Sequence, residues 1–358
     1  MSATARTEDA PAAGEVAGRL REAGFVRLVG AATGDALAAS GVLARALAAR
    51  DSPFQISLAP FPTDADRSTD ADLTVAVGRP DPTADCSLPG GAEPVSETAF
   101  AIARELGADP DVSLALAGVV ADGREVGGTV AEAAEATGIE RRSGVAVPTT
   151  DLVDGLAHST LVHAPFSGDA EATAAALASL ETDSTESGVD GSALDEQDRR
   201  RAASLVALRT VGHDAVPSRG GHAVERVLRP YEAGPFATVG GHADVLDAVA
   251  REAPGTGVAL ADATTGRYDG LFVARAETED APVETMARLV HDYRSPEPVT
   301  LAVTDGAAAV VADERDLESV LSTAAGGVDG TAAATGSTGR VRFDVDTAAF
   351  ITAFREAV

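Results

Sequence analysis

A chain of 358 residues with 45% hydrophobic residues is long enough for two globular domains, and its formal net charge is −28. All 28 basic residues are arginine, because the sequence holds no lysine and no asparagine. The missing lysine excludes a G-x-x-x-x-G-K-[ST] phosphate loop, and a single cysteine, Cys86, excludes an intrachain disulfide and a CxxC zinc site.

Acids spread through the whole chain, together with Trp 0, Phe 10 and Met 2, fit a protein adapted to molar salt. At ~1 M salt the Debye length is roughly 3 Å, so self-repulsion is screened and the charge does not exclude nucleic acid as a partner. The first 15 residues read as a polar tail without the apolar stretch of a signal peptide. No run approaches the ~18 apolar residues needed to cross a bilayer, so a cytoplasmic protein without membrane association is expected.

In chain order, 16–23 reads as a short helix. Strand-like and helical runs then alternate at 25–29, 36–50, 54–58, 73–77, 95–106 and 112–120, the pattern of a parallel α/β sheet. Residues 129–180 read mainly as helices, including 170–180. The stretch 181–198 carries seven acids and no base, a linker composition, and 199–212 has the period of an amphipathic helix. Further on, strands are expected at 258–261, 271–274, 299–303 and 308–312, and helices at 245–252, 283–292, 317–324 and 347–357. An echo, GGHAVERVL at Gly220 and GGHADVLDAV at Gly240, marks two glycine turns each feeding a helix.

Arg27 to Leu47, RLVGAATGDALAASGVLARAL, runs an apolar strand into a small-residue turn and an Ala-rich helix. The turn resembles motif I of the DHH phosphoesterase superfamily, His-x-Asp-x-Asp-Gly, to which RecJ-type single-strand nucleases belong. Gly34 keeps the glycine, while Val29, Ala31 and Thr33 stand where His, Asp and Asp would be. ADLTVAVGRP resembles motif II with Gly78 in place of the acid. No Asp-His-His occurs; its region holds DCSLPGGAEP, followed by SETAFAIAREL, which resembles the helix after motif III. LALAGVVADGRE resembles motif IV, a strand ending in Ala-Asp, and Asp122 occupies its ligand position. GPFATVGGHADVLDAVAR resembles the segment that opens the smaller C-terminal domain of archaeal RecJ-like nucleases. The tail GSTGRVRFDVDTAAFITAFREAV resembles their terminal segment, with Ser337 and Thr338 where Gly and His would stand and with Phe350 and Phe354 retained.

The resemblance implies a parallel-sheet N-terminal DHH-like domain and a smaller α/β DHH-associated C-terminal domain joined by a helix. The expected division is a tail at 1–15, the DHH-like domain at 16–180, an acidic linker and connecting helix at 181–213, and the C-terminal domain at 214–358.

A two-metal phosphoesterase needs several carboxylate or imidazole ligands. Asp122 alone cannot hold two cations, so no cofactor is expected, with Mn²⁺ or Mg²⁺ only if nuclease activity persists. Asp35 reads as an N-cap of the following helix or a surface acid. The run TDADRSTDAD, with Asp64, Asp66, Asp70 and Asp72, reads as a solvated acidic loop. His158 and His163 have the wrong spacing for one helix face. His222 and His242 follow glycine pairs and read as turn or packing residues, and Cys86 reads as packing.

Arginine is the only basic partner available for phosphate. Arg340 and Arg342 lie where the resemblance places DNA contact. Arg199 to Arg201 read as paired within the chain, and Arg141 with Arg142 forms a further cluster.

Three functions follow. The first is a catalytically inactive RecJ-like protein acting as an interaction scaffold in DNA replication or repair, because inactive relatives implied by the resemblance bind the GINS complex and other replication proteins. The second is an active metal-dependent 5′-3′ exonuclease on single-stranded DNA. The third is an unrelated two-domain α/β enzyme acting on a small phosphorylated ligand.

Overall fold

The structure, a computed structural model, describes residues 12–59, 70–90, 93–161, 164–178, 180, 189–211, 224–253, 258, 264–268, 270–276, 281–293, 295, 297–313, 317–335 and 337–358. Packing divides the chain into two units, Met1–Ile139 with Leu246–Pro254, and Glu140–Val245 with Gly255–Val358. The linker expected at 181–213 falls within the second unit; its residues 181–188 and 212–213 lie outside the described residues.

In the first unit, α1 (Ala13–Glu22) precedes β1 (Val26–Ala31), and α2 (Gly34–Ala48) follows it. β2 (Phe54–Ala59), β3 (Leu73–Val77) and β4 (Cys86–Leu88) complete a four-stranded parallel sheet in the order β2-β1-β3-β4. β1 is central and buried through five of its six positions, which is why it reads as an apolar run without alternation. The α/β class with a parallel N-terminal sheet is therefore as expected.

Three more helices, α3 (Val95–Glu105), α4 (Val112–Ala121) and α5 (Gly128–Ala136), follow in the same unit. Small residues set their spacing. A Cβ on Gly118 of α4 would lie 2.5 Å from the Ser96 Cβ and 2.8 Å from the Ala38 Cβ, so α2, α3 and α4 approach closely only with glycine there.

One element of the first unit differs in type from expectation. The run 112–120 is helix α4 rather than the strand of motif IV. Ten consecutive mostly apolar residues look alike as a buried strand or a buried helix, and the N-cap decides. The Asp111 carboxylate accepts the N–H groups of Ser113 at 2.9 Å and Leu114 at 3.1 Å.

The second unit begins with α6 (Leu152–His158), α7 (Ala170–Leu177) and α8 (Glu196–Val211), packed around Leu156, Phe166, Leu177 and Val206. Helix α9 (Val239–Glu252) is continuous, with residues up to Val245 in this unit and Leu246 onward in the first. Gly240 and Gly241 lie inside α9 rather than in a turn before it. A Cβ on Gly241 would meet the Val147 carbonyl oxygen at 2.1 Å, so close backbone approach is what the pair provides. The first copy of the echo, 220–223, lies outside the described residues.

A six-stranded mixed sheet follows, in the order β5-β6-β7-β8-β10-β9. Its strands are β5 (Thr264–Tyr268), β6 (Leu271–Arg275), β7 (Val299–Thr304), β8 (Ala307–Ala312), β9 (Thr331–Thr335) and β10 (Thr338–Arg342). α10 (Val283–Tyr293), α11 (Glu318–Gly326) and α12 (Thr347–Ala357) accompany it. Phe350 and Phe354 of α12 are fully buried, and Phe350 stacks on Phe343 with centroids 4.2 Å apart. Of the strand expected at 258–261, Val258 is helical and the rest lies outside the described residues.

Candidate functional site

Ligand and anion sites of parallel sheets lie beyond the carboxyl ends of the strands, and the motif positions of the first unit gather there. β1 and β3 run in register with Val29 opposite Ala76 and Gly30 opposite Val77, so Ala31 and Gly78 leave neighbouring strands at the same level. Gly78 has φ +80°, and a Cβ there would lie 2.7 Å from the Ala36 Cβ and 3.4 Å from the Ala31 Cβ. The Gly78 N–H donates to the Leu88 carbonyl at 2.8 Å, which brings in the end of β4. A Cβ on Gly34 would lie 2.9 Å from the Ala121 Cβ, one residue before Asp122. Val29 is buried, Thr33 is exposed, and the Thr33 hydroxyl caps α2 by accepting the Ala36 N–H at 3.3 Å. Val29, Ala31, Thr33, Gly34, Gly78 and Asp122 thus belong to one edge.

Asp35 departs from expectation. It is only 6% exposed, and Thr33 is the cap of its own helix. Its carboxylate reaches across to α3, accepting the Val95 N–H at 2.7 Å and the Ser96 N–H at 2.9 Å. It caps a helix, but the helix that begins 60 residues later. Burial pushes its pKa up to about 6; the bonds to Ser96 and Val95 oppose this, and the Asp122 charge adds to it.

Asp122 is the C-cap of α4, and its carboxylate pairs with the Arg124 Nε at 2.7 Å. A third carboxylate was not foreseen. Asp247 of α9 accepts the Gly34 N–H at 2.9 Å and pairs with Arg251. The backbone amide at the start of α2, which in this architecture faces an anion, therefore faces an internal side chain. Nothing local in the sequence signals this, because 213 residues separate the partners.

This donor set does not fit a two-cation centre. Two cations ~3.5–4 Å apart need several shared oxygen or nitrogen ligands. Asp35 is committed to two amides and Asp247 to another, and the strand ends carry Ala31 and Gly78. Among the described residues no group of three His, Cys, Asp or Glu could hold a metal ion. Asp64 and Asp66 lie outside the described residues; Asp72 accepts the Phe25 N–H at 2.9 Å.

In the second unit, Ser337 and Thr338 are exposed, the Ser337 carbonyl accepting the Ala312 N–H at 2.9 Å. Thr338 opens β10, opposite Val311. Arg340 and Arg342 alternate with buried Val341 and face outward, and Arg340 pairs with Glu284 at 3.2 Å. His158 is exposed beside Asp154. His242 is buried, its ring 5.0 Å from Phe236. His163 and His222 lie outside the described residues. Arg199 pairs with Glu232 at 2.6 Å, Arg200 with Glu196, and Arg201 with Asp198 at 2.9 Å, so the expected pairing holds with two acids of the linker itself. Cys86 is a buried free thiol whose pKa burial raises. No helix among the described residues is long and apolar enough to cross a membrane.

Fold and site together define a two-unit α/β protein whose parallel sheet ends in a crowded, carboxylate-capped edge. The chain is 55% identical over the full length of both sequences to the protein described as "Uncharacterized protein rrnAC1427" of Haloarcula marismortui, and it belongs to that protein's family. Residues 263–356 match the family described as its C-terminal domain. Solved structures similar to the chain include RecJ in complex with Mg²⁺ from Thermus thermophilus, at 16% identity and a TM-score of 0.24, covering 96% of this chain and 51% of that one. CDC45 from Entamoeba histolytica matches at 9% identity and a TM-score of 0.35, covering 96% and 98%. The chain thus spans about half the length of the Thermus RecJ.

Proposed function

We propose that this is a RecJ-like protein of the DHH superfamily in DNA replication or repair, catalytically inactive, cytoplasmic, adapted to molar salt, and serving as an interaction scaffold for replication proteins such as GINS. The observation that carries the reading is the convergence of the motif I, II and IV positions on one sheet edge. Motif-like glycines and small residues scattered by chance through an α/β chain have no reason to meet there. In place of metal ligands the edge holds apolar or small groups, and its remaining carboxylates are spent on helix N-termini and an arginine. Losing most of the ligands of a two-metal hydrolase removes both the source of the nucleophile and the stabilisation of the leaving oxygen.

The test is digestion of 5′-labelled single-stranded DNA with Mn²⁺ at molar salt, together with affinity purification of the tagged protein from its own cells. No digestion and co-purification of replication proteins are expected. Digestion abolished by Asp122→Ala overturns the scaffold reading in favour of the exonuclease.

A further inference from the structure

Five of the chain's 28 arginines, Arg141, Arg142, Arg199, Arg200 and Arg229, line a single open cavity of about 970 Å³ in the second unit. In a chain of net charge −28 this is a local reversal of sign. Among the described residues, the acids paired with these arginines are Glu196, with Arg200, and Glu232, which holds Arg142 at 3.1 Å and Arg199 at 2.6 Å. Arg141 lies over the Tyr231 ring, 4.9 Å from its centroid, so its guanidinium is oriented without an acid being consumed. Among the described residues, the positive charge of the cavity therefore exceeds that of the acids paired with it.

A second observation is independent of charge. Arg229 has φ +56°, the left-handed region that a non-glycine residue occupies at a cost of about 1–3 kcal/mol. Its N–H donates to the Gly144 carbonyl at 3.2 Å, on the strip that carries Arg141 and Arg142. Glycine would meet this backbone demand without strain, yet the position carries an exposed arginine at the cavity wall.

We infer that this cavity is a binding site for an anion carrying two or more phosphate groups in line, gripped by Arg141 and Arg229 and flanked by Arg142, Arg199 and Arg200. Guanidinium forks bind phosphate oxygens bidentately, and several converging forks select a run of phosphates over a single small anion. Free oligophosphate and the backbone of a single-stranded nucleic acid share this chemistry. The inference stands apart from the RecJ-like reading, since no residue of the first unit enters it.

The test is titration of the full-length protein with sodium tripolyphosphate and, separately, with a short oligothymidylate, across a series of KCl concentrations. Arg229→Gly, Arg141→Gln and, as a charge-matched control, Arg104→Gln at an exposed position of α3 in the first unit are compared with the parent. Arg229→Gly relieves the backbone, so its melting temperature holds or rises while affinity falls about tenfold. Arg141→Gln lowers affinity similarly, and the control leaves it unchanged. Binding of tripolyphosphate alone assigns a free oligophosphate, and binding of the oligonucleotide assigns a nucleic-acid backbone. Failure of both ligands to bind, binding indifferent to Arg229→Gly and Arg141→Gln, or an equal loss in the control overturns the inference.

Discussion

The Asp247 carboxylate accepts the Gly34 N–H at 2.9 Å, so the amide that opens α2 is answered by a side chain of α9. A carboxylate at a helix N-terminus stabilises by its hydrogen bond and by the helix dipole together. Asp247→Ala is expected to cost about 1–2 kcal/mol, and Asp247→Asn less, because the amide oxygen still accepts. Urea midpoints at molar salt measure both, and equal midpoints for parent and Asp247→Ala would contradict the role.

Asp35 makes stability depend on pH with an unusual sign. Its folded pKa of about 6 lies above the ordinary 3.8, so the folded chain binds the proton more tightly than the unfolded chain. The contribution to stability is fully present below pH ~4 and is lost as pH rises through about 6, amounting to about 3 kcal/mol. Asp111, whose pKa the Arg45 charge and its Ser113 and Leu114 bonds lower against burial, acts in the opposite direction at lower pH. Asp35→Asn should flatten the stability profile between about pH 4 and 6 relative to the parent, as denaturation midpoints across that range would reveal.

Putting an acid back at position 78 should not rebuild a metal site. Gly78→Asp meets φ +80° and the Ala36 Cβ at 2.7 Å, and a destabilisation of about 2–4 kcal/mol is expected from strain and overpacking together. Thermal melts with and without Mn²⁺ test it. A Mn²⁺-dependent rise in melting temperature for the variant would show that the edge still accepts a cation.

Low ionic strength should loosen the fold. With net charge −28 and screening that fades as the Debye length grows to ~30 Å at 0.01 M, acidic self-repulsion strengthens throughout the chain. Circular dichroism on dialysis into dilute buffer should lose helical signal, and an unchanged spectrum would refute the salt adaptation.

Many elements of both units were legible because they announce themselves locally. β3 occupies the expected 73–77, and Thr347–Ala357 of α12 matches the expected bounds. The failures have local causes too. α4 has an apolar run without helical period, and only its Asp111 cap distinguishes it from a strand. β9 and β10 were missed because Thr, Ala and Gly carry little strand signal, and their place is set by pairing with each other and with β8. The positions of the candidate edge were legible, whereas its carboxylates were not. Asp35 looked like a local cap because sequence shows the helix it sits in, not α3 across the unit. Arg229 gave no sign at all, since a left-handed arginine is a property of the fold and not of its neighbours in sequence.

The shared helix α9 also bears on how the protein comes into being. The first unit is closed by Leu246–Pro254, although its sheet is complete in sequence long before. On the ribosome an amino-terminal unit ordinarily folds as soon as it emerges. Here the α2 N-terminus waits for a carboxylate made more than two hundred residues later, so final closure of the first unit must follow synthesis of much of the second.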